Sequence, residues 1–206
     1  MSAPRVLLGG LCGAIAAFLF FSGMDRARNA LDGITLAELL QRRDAVSTGK
    51  LVGAARDAAA SAEWQHDSAT AFLFLAERAH QRGMEARSTY LEGAISVLRH
   101  QLARRPADGI AWARLAWATS FFAERGQDTD HALRMAQTYA PHAIYLTQVK
   151  FEAAARAWPD LSILAQQGVL RMVREAWISA DGRRALRRGY SPPYSVHILE
   201  RAFPNG

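Results

Sequence analysis

Hydrophobic residues recur along most of the chain at three- and four-residue spacing, and no stretch alternates with the period of two that a strand needs. Thr35-Leu36-Ala37-Glu38 has the form of a capping box and predicts a helix carrying Leu36, Leu39 and Leu40. A second, alanine-rich helix is expected to run to about Trp64, weakened by Gly49 and Gly53. Asp67 or Ser68 is placed to cap a third, with Phe72, Leu75, Ala76 and Ala79 on one face and an end near Gly83. Leu91, Ala94, Ile95, Leu98 and Leu102 predict a fourth that stops before Pro106. Ile110 to Ala123, Asp130 to Tyr139, Ala143 to Ala157 and Asp160 to Ser179 read as further helices, punctuated by Gly126, Pro141 and Pro159. Tyr190-Ser-Pro-Pro-Tyr194 is expected to be extended, with Val196 to Phe203 docking back. The expected fold is all-α, an array of antiparallel helical hairpins.

The beginning of the chain departs from this pattern. Val6 to Met24 is a 19-residue run without a charge or a polar face. As a helix it would be roughly 28 Å long, near the hydrocarbon thickness of a bilayer. A small-x-small cleavage site is hard to find, since Phe20, Phe21 and Ser22 lead into Gly23, Met24 and Asp25, and Leu11 stands where a lipoprotein cysteine at Cys12 would need a small residue. Residues 1–28 are therefore read as an uncleaved single-pass signal-anchor, with a helical domain over residues 29–206. Gly9, Gly13 and Ala17 put small residues at four-residue spacing, which suits close packing of two membrane helices and a homodimer formed through them. Arg26, Arg28, Arg42 and Arg43 would by themselves keep the domain in the cytoplasm, whereas the short leading end is that of an anchor that exports the domain behind it. The exported, periplasmic orientation is the reading taken.

The 206 residues carry 25 Lys+Arg against 19 Asp+Glu, a net charge of +6, and only Lys50 and Lys150 are lysines. Arginine and alanine enrichment with scarce lysine suits a high-GC bacterial genome. A single cysteine, Cys12, inside the apolar run excludes an intramolecular disulfide and argues against a thiolate zinc site. Arg183, Arg184, Arg187 and Arg188 form the densest basic cluster and are the candidate anion-binding residues. No recognition helix or stacking-aromatic framework accompanies them, so nucleic acid is not the expected partner.

The chain contains no nucleophile elbow, zinc-protease helix, phosphate loop or dinucleotide fingerprint. Glu63-x-x-His66 and Glu77-x-x-His80 match the carboxylate–histidine spacing of di-iron bundles. They lie on consecutive segments around one turn, so the second pair would fall roughly 15 Å further along its helix and could not share a metal with the first. His100, His131, His142 and His197 have no ligand spacing. No metal, cofactor, small-molecule substrate or catalytic activity is expected.

Ala94, Leu98 and Pro106, followed by Trp112-x-x-Leu115-Ala116, have the spacing of a tetratricopeptide second helix, its terminal proline and the first helix of the next repeat. Small Ala94 and Ala116 would let the helices close, while Trp112 and Leu115 would fill the space between hairpins. Over about Leu91 to Pro141 the sequence resembles the junction between two such repeats, although the following unit departs from the pattern because Ala132 to Pro141 is short for a standard second helix. With its anchor and Arg105-Pro-Ala-Asp-Gly-Ile-Ala-Trp112 segment, the chain also resembles small accessory proteins of bacterial exopolysaccharide-biosynthesis clusters. These resemblances imply an adaptor that holds a protein partner at the bacterial inner membrane. The alternatives are an envelope enzyme acting on polysaccharide or lipid, and a binder of anionic lipid or nucleic acid through the C-terminal arginines.

Overall fold

The computed structural model describes residues 36–41, 47–61, 64–190 and 194–204. The apolar run of residues 6–24, with Gly9, Gly13 and Ala17, lies outside them. Among the described residues there is no strand, and no helix is long and apolar enough to cross a membrane. The chain divides into two units, residues 1–47 and 48–206. The first contributes one described helix, α1 (Leu36–Gln41).

The second unit is built from α2 (Thr48–Ala59), α3 (Gln65–Gln81), α4 (Arg87–Arg104), α5 (Gly109–Thr119), α6 (Gly126–Tyr139), α7 (Thr147–Ala157), α8 (Ile163–Ile178), α9 (Ala180–Arg188) and α10 (Tyr194–Ala202). From α2 to α9 each helix packs on the next, and α5–α7, α6–α8, α7–α9 and α8–α10 pack as well. Short connections leave consecutive helices no geometry but side-by-side packing. Gly83, at φ 62°, ends α3 in the left-handed conformation that a side chain resists.

Alanine makes this packing close. Ala55, Ala69, Ala76, Ala94, Ala116, Ala136 and Ala154 are all buried, and Leu51, Leu75, Leu91, Leu98, Leu133, Phe151 and Val173 fill the space between them. The centre is α5, where Ala111, Ala113, Leu115, Ala116, Ala118 and Thr119 are buried because α4, α6 and α7 surround it. Its one buried hydroxyl is satisfied locally: Thr119 Oγ1 lies 2.9 Å from the Leu115 carbonyl and 2.9 Å from Thr129 Oγ1.

Several boundaries differ from the expectation. Helix α3 opens at Gln65 with Trp64 as its cap residue, and neither Asp67 nor Ser68 caps it. Ser68 instead donates its hydroxyl to the Ala55 carbonyl at 2.7 Å, tying α3 to α2. Gly126 opens α6 rather than breaking the chain, and it passes so close to Asp160 that a Cβ would lie 3.0 Å from that residue's. The helix therefore has 14 residues, longer than its sequence pattern suggests. The helix expected to run from Asp160 to Ser179 is α8, which starts three residues later at Ile163, and a separate helix follows it, since Ser179 is extended and its hydroxyl caps α9 by accepting from the Gly182 amide at 2.9 Å.

Candidate functional site

At the junction of α4 and α5, Ala94, Leu98, Leu115 and Ala116 are buried, whereas Trp112 is half-buried and Pro106 is exposed. Trp112 edges the core rather than filling it: its ring meets His131 edge-on at 5.3 Å, and its indole N–H donates to the Pro106 carbonyl at 2.7 Å. Asp108 caps α5, accepting from the Ala111 amide at 2.9 Å and from Gln101 Nε2 at 2.8 Å. Gly109 is required by close approach, since a Cβ there would lie 2.6 Å from the Ala140 Cβ. Proline as stop, aspartate as cap, glycine as contact point and tryptophan folded back on the proline carbonyl together explain why these residue types occur in that order.

The carboxylate–histidine pairs serve other ends. Glu63 lies outside the described residues. His66 sits with both ring nitrogens within 3.4 Å of Arg114 Nη1, and burial followed by that positive charge lowers its pKa. Glu77 accepts from Gln81 Nε2 at 3.1 Å. Among the described residues no group of three metal-ligating side chains converges.

The four C-terminal arginines do not act as one cluster. Arg183 reaches back to the end of α8, donating to the carbonyls of Trp177 at 2.7 Å and Ile178 at 3.3 Å. Arg184 pairs with Asp181. Arg187 and Arg188 are exposed and make no ion pair among the described residues.

Polar contacts between helices that the periodicity could not show hold the rest. Trp117 on α5 donates its indole N–H to Glu152 on α7 at 2.7 Å, and Gln148 and Arg156 donate to the same carboxylate at 3.0 and 3.3 Å. The guanidinium carbons of Arg87 and Arg156 stand 4.0 and 4.1 Å from the centre of the Phe121 ring, and burial lowers the pKa of both. Lys150 is buried, donates to the Ala140 carbonyl at 2.9 Å, and is pulled down to about 8 by burial, with the Glu175 charge opposing.

An open cleft of about 440 Å³ lies between α6 and the start of α8, lined by Gln127, Asp130, Arg134, Asp160, Leu161 and Ser162. Asp130 is buried at its base and accepts from the Ser162 amide and hydroxyl at 2.8 and 2.7 Å and from Arg134 Nε at 2.9 Å. Burial pushes its carboxyl up, but these hydrogen bonds and the Arg134 charge outweigh that and hold it below the usual aspartate value. Next in sequence to Ser162, Ile163 and Leu164 stand 74% and 63% exposed. Their signal is present in the sequence. Leu161, Ala165, Val169, Val173 and Ala176 follow the helical period that faces the core, and two branched aliphatics fall off it.

The cleft is thus a polar recess at the start of α8, and Ile163 and Leu164 are exposed in the first turn of that helix. No family model matches the chain, and neither a curated protein nor a solved structure matches it.

Proposed function

We propose that this protein is a membrane-tethered adaptor of tetratricopeptide-like design that holds a partner protein at the bacterial inner membrane, in the assembly of envelope polysaccharide. The carrying observation is the pair Ile163 and Leu164, exposed side by side in sequence next to the cleft that Asp130 and Ser162 anchor. Exposed aliphatics adjoining a recess are a usual mark of a protein-binding surface. The tight Pro106-to-Trp112 junction and the pairing of each helix with its second neighbour from α5 onward support a repeat-like stack. The tether rests on the uninterrupted apolar run of residues 6–24.

The test is complementation of a deletion strain, with a photo-crosslinking residue at exposed position 167, one turn further along α8, identifying what touches it. Ile163→Asp with Leu164→Asp should abolish both function and the crosslink at unchanged protein level. Glu77→Gln and His80→Gln should leave both intact. Loss of the tether should impair function more than either, because tethering sets the partner's effective concentration. A null phenotype in a well-expressed Glu77 or His80 variant, with the Ile163/Leu164 variant active, would replace the adaptor with an enzyme.

A further inference from the structure

We infer that the end of the second unit formed by α9 and the turn before α7 seats on an anionic phospholipid surface. This inference uses the far end of α8 together with α9 and the turn before α7, and does not depend on Ile163 and Leu164 at the start of α8. The turn Ile144–Leu146 packs on α9 and presents Tyr145, 70% exposed. Ile178, 83% exposed, is held beside the first turn of α9 by the hydrogen bond from Arg183 to its carbonyl. One turn further along α9, Arg187 and Arg188 face solvent without an ion-pair partner among the described residues. The buried side of the same helix is Gly182 and Leu186, so its polar face is turned outward by packing.

Charge complementarity selects the occupant. Unpaired arginines beside exposed aliphatic and aromatic side chains match a surface that offers phosphate at one depth and hydrocarbon just below it. The phosphate backbone of a nucleic acid would satisfy the arginines and leave Ile178 with nothing to contact. Arginines near an anionic leaflet each favour contact by about fivefold, so the pair supplies roughly 25-fold.

The experiment uses the full chain with Cys12→Ser and a single Ile178→Cys carrying an environment-sensitive fluorophore, reconstituted into vesicles by detergent removal. Phosphatidylcholine vesicles are compared with vesicles containing phosphatidylglycerol in equal amount. The emission should shift to the blue only with phosphatidylglycerol, and the shift should be reversed by raising salt from about 0.05 to about 0.5 M. Arg187→Gln with Arg188→Gln should lower the ratio of seated to free fluorophore by roughly 25-fold. Arg187→Lys with Arg188→Lys should keep the shift, which separates charge from folding. A fluorophore at Thr89→Cys on α4 should not respond. No shift, an equal shift on both vesicle types, or a shift indifferent to salt would each overturn the inference. So would salt-dependent retardation of a single-stranded oligonucleotide without any lipid response, which would assign the arginines to nucleic acid.

Discussion

Ser162 donates both its backbone amide and its hydroxyl to one carboxylate oxygen of Asp130, 32 positions earlier in the chain. The same hydroxyl accepts from the Ala165 amide at 3.3 Å and so caps α8. One buried carboxylate thereby sets where α8 begins, how it meets α6, and where Ile163 and Leu164 are displayed.

Removing that carboxylate should loosen the cleft. Asp130→Ala should cost about 1.5–3 kcal/mol, the range for hydrogen bonds to a charged group. Asp130→Asn keeps an acceptor for Ser162 and should cost less. Because the folded-state pKa lies below the unfolded one, the contribution is complete above the ordinary aspartate range and is lost as pH falls through the folded value. Urea unfolding of the chain in detergent, at neutral pH and near pH 3, checks this. An Asn variant as acid-sensitive as the parent would remove Asp130 from the account.

Lys150 gives a pH dependence of the same sign in an alkaline window, as a penalty relieved where Asp130 supplies a stabilisation gained. Burial lowers its pKa from 10.5 to about 8, so between those values the unfolded chain holds more protons than the folded one. Stability should therefore rise with pH across that window, and the penalty is full below it. Lys150→Met should abolish the rise while leaving the Ala140 carbonyl without its donor. Unfolding midpoints measured on either side of pH 9 decide the matter. Equal slopes in parent and variant would show that the ammonium is not desolvated.

Two glycine substitutions should have opposite signs. A Cβ on Gly182 would overlap the Ala176 carbonyl oxygen, so Gly182→Ala should cost about 1–3 kcal/mol or displace α9. Gly53 is exposed within α2 with nothing near its missing Cβ, and Gly53→Ala should stabilise by about 0.5–1 kcal/mol. Thermal unfolding followed by circular dichroism measures both. A stabilising Gly182→Ala would mean that the start of α9 does not lie against the Ala176 carbonyl.

The α4–α5 junction separates a core residue from an edge one. Leu98→Ala, at a fully buried position, should cost about 2–5 kcal/mol. Trp112→Phe keeps most of the half-buried ring but loses the indole donor to Pro106, and should cost about 0.5–1.5 kcal/mol. Trp112→Ala should fall below the ~3–5 kcal/mol typical of a large buried aromatic. Equal losses for Trp112→Phe and Trp112→Ala in urea melts would refute the edge placement.

Helical periodicity is enough to establish the all-α class and much of the buried face. Burying a stripe every 3.6 residues leaves a mark in any one segment, as Leu91, Ala94, Ile95, Leu98 and Leu102 show. Local chemistry is legible for the same reason. Pro106 and Gly83 act on the backbone within a few residues of themselves, and so does the helix stop each one makes. What tertiary structure alone decides are contacts between residues far apart in the chain. Ser68 has the sequence position of a cap and bonds Ala55; Arg183 and Arg184 belong by sequence to a free basic cluster, and they close a helix end and an ion pair. Gly126 has the look of a break and is a point of contact with Asp160. Asp130 and Ser162 carry no shared motif, because a hydrogen bond between two helices depends on how the hairpins stack, and stacking is set by the sum of many small alanine contacts rather than by any one of them.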